Sequence, residues 1–274
     1  MPELPEVETV KETLKSKILG KKIKNTTILY SGIIEYPTND QFIKQITGET
    51  INDIKRRGKW LMFELDHYYL LSHLRMEGKY NIRENGDSYD KHEHVSFEFM
   101  DGVELRYRDT RKFGRMHLIE KNLIYSTKPL NELGLEPWDE ELTVSYLREK
   151  YKTKKLPIKT VILDQSIIVG IGNIYADEIL FLCKINPYTK TNELKDEDLN
   201  NIILNTKKVL GEAIKMGGTT IRTYTSSEGV HGKFQQKLLV HNHEGELCPV
   251  CHNIIVKVKI NGRGTYYCEK CQIR

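Results

Sequence analysis

Cys248-Pro249-Val250-Cys251 is followed, after sixteen intervening residues, by Cys268-Glu269-Lys270-Cys271. Each Cys-X-X-Cys pair folds back so that two thiolates meet one ion, and two pairs at this separation complete a tetrahedral Zn²⁺ site. Four thiolates leave no open coordination position, so the single zinc ion expected here is structural. Ile254-Ile255-Val256 and Thr265-Tyr266-Tyr267 lie between the pairs and predict the two strands of a β-hairpin zinc finger. Ribosomal, transcriptional and repair proteins all use such ribbons, so the motif alone names no activity. Cys183 stands apart in an apolar helical stretch and reads as a buried, inert thiol.

Outside this hairpin the chain has the composition of a folded protein. Its 274 residues, 39% hydrophobic and 29% charged, suffice for one large domain or two smaller ones. No apolar run approaches the ~20 residues that span a bilayer. The start, Met-Pro-Glu-Leu-Pro-Glu-Val, carries acids and prolines and lacks the apolar core of a signal peptide. A cytoplasmic protein is expected, because four of its five cysteines are assigned to metal and not to disulfides. The net charge of +4 is too small to identify a polyanionic partner by itself.

Val7, Val10, Leu14 and Ile18 recur at helical spacing and predict an amphipathic helix ending at Gly20. Between about residues 20 and 130 the pattern changes to period two. Leu61, Phe63 and Leu65 share one strand face, and Val95, Phe97 and Phe99 share another. Asp101-Gly102 then marks a hairpin turn before Val103, Leu105 and Tyr107. Beyond Leu133-Gly134-Leu135-Glu136-Pro137 the period becomes helical, most clearly over 199–214. That helix has Asp196, Glu197 and Asp198 in its first turn and Gly217-Gly218 after its end. The Gly/Thr/Ser-rich stretch 217–232 is long for a connector.

The N-terminus offers a nucleophile. Removal of Met1 exposes the secondary amine of Pro2, and an α-amino group titrates near ~8. Such an amine can attack an aldehyde-level carbon and form a cationic Schiff base. Glu3 and Glu6 stand close by in sequence as acid/base partners. On these residues alone, Pro2 and Pro5 serve equally well as helix starters, with the glutamates favouring the helix dipole.

The segment 1–9, Met-Pro-Glu-Leu-Pro-Glu-Val-Glu-Thr, resembles the start of the bacterial formamidopyrimidine-DNA glycosylases. So, in order, do Lys55-Arg-Arg-Gly-Lys59-Trp60, His73-Leu-Arg-Met76-Glu-Gly78, Lys91-His92-Glu-His94 and Arg108-Asp-Thr-Arg111-Lys-Phe113-Gly114. The likeness continues through Gly170-Ile-Gly172-Asn173-Ile-Tyr-Ala and Arg263-Gly-Thr-Tyr-Tyr-Cys268, and so covers essentially the whole chain. It implies an α+β protein of two domains. The first, 1–134, is a catalytic β-sandwich with an N-terminal helix. A helical DNA-binding domain with a helix–two-turn–helix motif follows at 135–220. Residues 221–243 then form a lesion-recognition loop and connector, and 244–274 the zinc finger.

The implied activity is base-excision repair on damaged double-stranded DNA by a monomer, with no membrane involved. Pro2 attacks C1′ of an extruded nucleotide, the oxidised purine leaves, and Glu3 is the proton donor that assists opening of the sugar ring at its oxygen. β-Elimination then uses Lys59 and δ-elimination Arg263. A guanidinium holds its protons, so phosphate positioning is the easier role for Arg263. Met76, Arg111 and Phe113 match the trio that fills the void left by base extrusion. His92, Lys155 and Asn173 match further DNA-contacting positions, Lys155 at the end of a basic run. Glu77 is a candidate for lining the base pocket, beneath a loop formed by 217–232.

The resemblance also has a departure. Val240-His241-Asn242-His243-Glu244-Gly245 stands where the family usually has an aromatic, a glycine and a basic residue. That leaves the local backbone geometry open, and it raises His243 as a further metal ligand where four cysteines already suffice. Two other readings remain. Endonuclease VIII-type glycosylases for oxidised pyrimidines usually begin Met-Pro-Glu-Gly, so Leu4 and the Met76/Arg111/Phe113 trio favour the purine enzyme. A non-catalytic zinc-ribbon DNA-binding protein would need no Pro2, Glu3 or Lys59.

Overall fold

The computed structural model describes residues 2–84, 86–219 and 232–273. The chain divides into two compact units. One comprises Met1–Pro2, Glu6–Asn131 and Thr219–Gly232, and the other Glu3–Pro5, Glu132–Gly218 and Lys233–Arg274.

The first unit is a sandwich of two sheets with helices on its flank. Helix α1 (Leu4–Ile18) opens it from Glu6 onward, followed by β1 (Ile23–Ile28), β2 (Ile34–Tyr36) and α2 (Asn39–Ile46). Then come β3 (Asp53–Arg57), β4 (Trp60–Glu64), β5 (Tyr68–His73) and β6 (Lys79–Glu84). Strands β7 (Glu93–Phe99), β8 (Val103–Arg108) and β9 (Arg115–Glu120) complete it. One sheet has the order β1-β7-β8-β6 and the other β2-β9-β5-β4-β3. All pairings are antiparallel except β2 with β9.

The apolar stripe Val7, Val10, Leu14 and Ile18 is buried in one core with Phe97, Phe99 and Leu105 of the first sheet and Leu61, Phe63, Leu70 and Leu118 of the second. Phe63 meets Tyr80 across the sandwich at a ring separation of 5.6 Å. The turn at Asp101-Gly102 joins β7 to β8 with Gly102 at φ +83°, as the sequence predicts. Strand β4 does not alternate: Trp60 and Met62 are buried along with Leu61 and Phe63. Trp60 is covered by edge-on contacts with His73 and His117, so aromatic packing replaces the solvent face.

The second unit is helical, with a terminal hairpin. It contains α3 (Val144–Tyr151), the short α4 (Ile158–Val161), α5 (Asn173–Leu182) and α6 (Asp196–Lys215), then β10 (Val256–Ile260) and β11 (Arg263–Tyr267). Helix α6 begins with a capping box in which the Asp198 side chain accepts from the Lys195 N–H, and Gly217 and Gly218 follow it at positive φ. Leu199, Ile202, Val209 and Leu210 turn inward against Ile179 and Leu180 of α5 and Leu147 of α3. The first hairpin strand starts at Val256, not at Ile254. Ile254 instead pairs with Leu247 in an isolated bridge that closes the first cysteine loop.

Two glycines of this unit should respond oppositely to alanine. A Cβ on Gly134 would lie 2.3 Å from the Ile167 carbonyl oxygen, whereas one on Gly211, inside α6, meets only Trp138 at 3.9 Å. Gly134→Ala should therefore destabilise by about 1–3 kcal/mol. Gly211→Ala should stabilise by about 0.5–1 kcal/mol. Urea denaturation of the two variants checks both signs.

Candidate functional site

In the second unit, the N-terminus of α5 holds a carboxylate. Gly172 N–H donates to Glu3 Oε2 at 2.7 Å, Ile174 N–H to Oε1 at 2.9 Å and Tyr175 N–H to Oε2 at 3.4 Å. The first turn of a helix has unsatisfied N–H groups and the positive end of the dipole, so this arrangement suits an anion. Gly170-Ile171-Gly172 is what lets the acid in. A Cβ on Gly172 would lie 2.2 Å from Glu3 Cδ, and one on Gly170, at φ +92°, would lie 2.3 Å from Leu4 Cδ1. Leu4 N–H also donates to the Gly170 carbonyl at 3.1 Å. Glu3 is 2% exposed, and both its oxygens act as acceptors.

Asn173, the first residue of α5, donates its amide to the Gly264 carbonyl at 2.8 Å. That bond ties the helix start to the zinc hairpin one residue from Arg263, an exposed side chain after the tight turn Asn261-Gly262. Lys155 is exposed beyond the end of α3.

Below this surface lies a charge array that the sequence reading missed. Lys159 is fully buried, and its Nζ donates to Asp177 Oδ1 at 2.5 Å and to the Asn173 carbonyl at 3.1 Å. The other Asp177 oxygen is 2.6 Å from His241 Nδ1. Burial pushes the Lys159 ammonium below its usual range, and Asp177 and then Glu3 pull it back. Glu178, next in sequence, accepts the N–H groups of Leu239, Val240 and His241 at 2.8–3.0 Å. Its pKa is raised by burial, with those three bonds acting against the rise. Two adjacent acids of α5 therefore bind the strap 239–241 from its backbone and from its histidine. The sequence signal was a lysine in Leu-Pro-Ile-Lys and an acid pair inside an apolar helix.

The departure at 240–245 is accommodated. Asn242 takes φ +66°, the left-handed region that a glycine would supply and that Asn tolerates. His243 Nδ1 bonds Glu246 Oε2 at 2.7 Å and is not among the clustered ligands.

The four cysteine sulfurs all lie within 4.8 Å of one another, Cys248 and Cys271 at 3.8 Å and Cys251 and Cys268 at 3.4 Å. A tetrahedron with Zn–S bonds of ~2.3 Å has S···S edges of ~3.8 Å, so the cluster fits one zinc ion. Val240, Ile255, Tyr266 and Phe181 bury this knuckle. Gln272 fastens it by donating to the Ile185 carbonyl at 3.0 Å. Cys183 takes no part: burial pushes its thiol up to about 12.

In the first unit, Pro2 is buried and Glu6 accepts both the N–H and the hydroxyl of Thr219, at 2.8 and 3.1 Å. Lys59 is 6% exposed at the β3–β4 turn, where Gly58 takes φ +57°. His73, opposite Trp60 on β5, is held neutral by burial and by the nearby charges of Arg75 and Lys59, with a pKa of about 3. Its Nδ1 accepts the Arg75 N–H at 3.0 Å, shaping the turn that carries Met76 and Glu77. Phe113 is 47% exposed, an unusual setting for an aromatic, with the Arg111 guanidinium 4.7 Å from its ring centre. His92 is half-buried beside Asp90, to which its N–H donates. Most of the proposed loop 217–232 lies outside the described residues.

Comparison with known proteins accounts for both units. The family model for the formamidopyrimidine-DNA glycosylase N-terminal domain matches residues 1–116, and that for its H2TH domain matches 133–225. A zinc finger found in FPG and IleRS matches 245–273. The formamidopyrimidine-DNA glycosylase of Oceanobacillus iheyensis is 46% identical, with 99% of this chain and 98% of the relative aligned. That of Bacillus subtilis is also 46% identical, over the whole of both chains. A crystal structure of a Lactococcus lactis FPG mutant with Fapy-dG-containing DNA superposes with a TM-score of 0.94 at 39% identity, covering both chains fully. The L. lactis enzyme with abasic-site DNA gives 0.92 at 39% identity, covering 99% of this chain and all of that one.

These matches place the chain among the zinc-finger DNA glycosylases of base-excision repair, a class that also carries AP lyase activity. The chain belongs to the formamidopyrimidine-DNA glycosylase family. No helix among the described residues is long and apolar enough to cross a membrane.

Asp177→Leu should destabilise the protein by about 3–5 kcal/mol, because it leaves the Lys159 charge buried and unpaired. The double variant Lys159→Met/Asp177→Leu should recover most of that loss. Urea titrations of the two decide this. Stripping zinc with a strong chelator should release metal at one equivalent and lower DNA affinity. Metal analysis paired with a band-shift assay tests that outcome.

Proposed function

We propose that this chain excises oxidised purines, 8-oxoguanine and formamidopyrimidines, from duplex DNA and then cleaves the strand, acting as a cytoplasmic monomer. The observation that carries the reading is that Glu3, the residue directly after Pro2, is fixed by three backbone N–H groups at the start of α5, those of Gly172, Ile174 and Tyr175. A carboxylate so held stays beside the nucleophile throughout the reaction. The domains divide the labour: 1–134 carries the chemistry, 135–220 and the zinc finger 244–274 grip the backbone, and 221–243 covers the lesion.

With Met1 removed, the Pro2 nitrogen attacks C1′, and the bond from C1′ to the base breaks with its electron pair leaving on the base, which takes a proton from water. Both Glu3 oxygens accept N–H bonds at rest, so the proton it delivers is one taken from the Pro2 nitrogen on attack. Glu3 passes that proton to the sugar ring oxygen as the C1′–O bond opens. The product is an iminium between Pro2 and the sugar, an electron sink that acidifies C2′. Loss of the C2′ proton expels the 3′ phosphate, with Lys59 serving the proton transfers. A second elimination expels the 5′ phosphate, which Arg263 positions and neutralises. Met76, Arg111 and Phe113 fill the vacated stack, and His92, Lys155 and Asn173 bind phosphates. One L. lactis relative was crystallised with DNA containing an oxidised pyrimidine, so such a lesion is a second substrate to test.

Borohydride added during turnover should trap a covalent protein–DNA adduct that mass spectrometry maps to Pro2. An adduct on a lysine, or none, defeats the mechanism. On duplexes with 8-oxoguanine, ring-opened guanine or thymine glycol, the first two should be cut faster, and a preference for thymine glycol overturns the substrate assignment. Affinity should fall by at least about tenfold between ~50 and ~200 mM salt, because the cationic side chains that neutralise phosphates displace counterions.

A further inference from the structure

Tyr107 on β8 is wholly buried, yet its hydroxyl stands at the base of two exposed turns. One turn, closed by the Gly78 N–H to Leu74 carbonyl bond of 2.9 Å, carries Met76. The other runs from Asp109 to Gly114 and carries Arg111 and Phe113. Both closing glycines press on the same phenol. A Cβ on Gly78 would lie 2.2 Å from the Tyr107 oxygen, and one on Gly114 only 1.7 Å from it. Nothing larger than glycine fits at either place while the hydroxyl is there.

The hydroxyl donates to Asp109 Oδ2 at 3.3 Å. That carboxylate, itself 0% exposed, organises the second turn. Oδ1 accepts the Arg111 N–H at 2.9 Å, and Oδ2 accepts those of Phe113 at 2.9 Å and Gly114 at 2.8 Å. Lys112, between those residues, is held at φ +58°, a conformation that a lysine adopts only under outside constraint. From β7, His94 Nε2 meets the Asp109 carbonyl at 2.7 Å. The Thr110 hydroxyl donates to Glu77, joining the two turns a second time.

We propose that Tyr107 and Asp109 are positioning residues that lock the Met76 turn and the Arg111–Phe113 turn into one preformed wedge. The proposal rests on the reading that those three side chains fill the space left by the extruded nucleotide. Inserting side chains from separate turns costs ordering entropy for each, and a rigid pair of turns has that ordering built in. Neither residue needs to touch DNA or the reacting sugar to act in this way.

The test compares Tyr107→Phe and Asp109→Asn with Phe113→Ala on two substrates. In a duplex bearing 8-oxoguanine opposite cytosine the wedge is needed. In a single strand with a preformed abasic site no base is orphaned, so it is not. Tyr107→Phe should slow duplex excision about tenfold, the scale of one lost buried hydrogen bond, and change single-strand cleavage by no more than about twofold. Asp109→Asn, which keeps the side-chain shape but sets an N–H₂ donor where a carboxylate oxygen accepts backbone N–H groups, should show the same selectivity with a larger loss. Equal losses on both substrates would mean a general structural role and overturn the proposal. So would an unchanged Tyr107→Phe beside a Phe113→Ala that fails on duplex. If Phe113→Ala itself excises normally, the void-filling reading falls and the proposal with it.

Discussion

The grip of the α5 N-terminus on Glu3 is the constraint on which the rest depends. A carboxylate could be buried at 2% exposure in few other ways, since an unpaired buried charge is costly. Here the peptide N–H groups that no helix can satisfy internally take up that charge. The demand passes directly into sequence. Gly170 and Gly172 must lack side chains because Leu4 and Glu3 occupy the space a Cβ would need. The motif Gly-Ile-Gly-Asn is therefore a footprint of the N-terminal residues, with Gly172 standing 169 positions from Glu3 along the chain.

A second layer keeps that helix end in place. Lys159 binds both the Asn173 carbonyl and Asp177, and Asp177 and Glu178 bind the strap that leads into the zinc hairpin. Asn173 closes the circuit through Gly264. A purely apolar core could pack as tightly, and buried ion pairs seldom add net stability. What the charges add is direction. Each hydrogen bond fixes an angle as well as a distance, so the first turn of α5, the Gly264 backbone and the strap are held in a defined register. A zinc ion on the four cysteines would do comparable work for the last thirty residues, whose share of the local core cluster is Ile255, Tyr266 and the cysteines themselves.

How far the sequence could be read depended on the range of each interaction. The cysteine pairs, the Asp101-Gly102 turn and the α1 stripe were legible because spacing within a few residues determines them. Position 254 was misassigned to a strand, since only the cross-loop bridge to Leu247 shows that the residue serves the knuckle instead. Strand β4 lost its alternation for a similar reason: His73 and His117, distant in sequence, cover Trp60. The Lys159–Asp177–His241 array was invisible because its members are 18 and 64 residues apart and each is an ordinary residue alone. Pro2, Lys59 and Arg263 stood out through likeness to a family, which carries long-range information that local patterns lack.

The departure at 241–243 shows how such likeness should be weighed against geometry. Asn replaces glycine at a backbone position with φ +66°, and among residues with a side chain Asn bears that conformation at the least strain. The histidine beside it is no longer a generic aromatic. It packs edge-on against Tyr266 at 4.8 Å, as an aromatic would, and in addition presents Nδ1 to Asp177. One side chain thus meets the packing requirement and enters the charge array. The substitutions preserve what the backbone and the ring must do, while adding a hydrogen bond to the α5 carboxylate that also holds Lys159. Chemistry at this end of the protein is set by which hydrogen bonds the buried groups can complete, more than by which residue types occupy the motif.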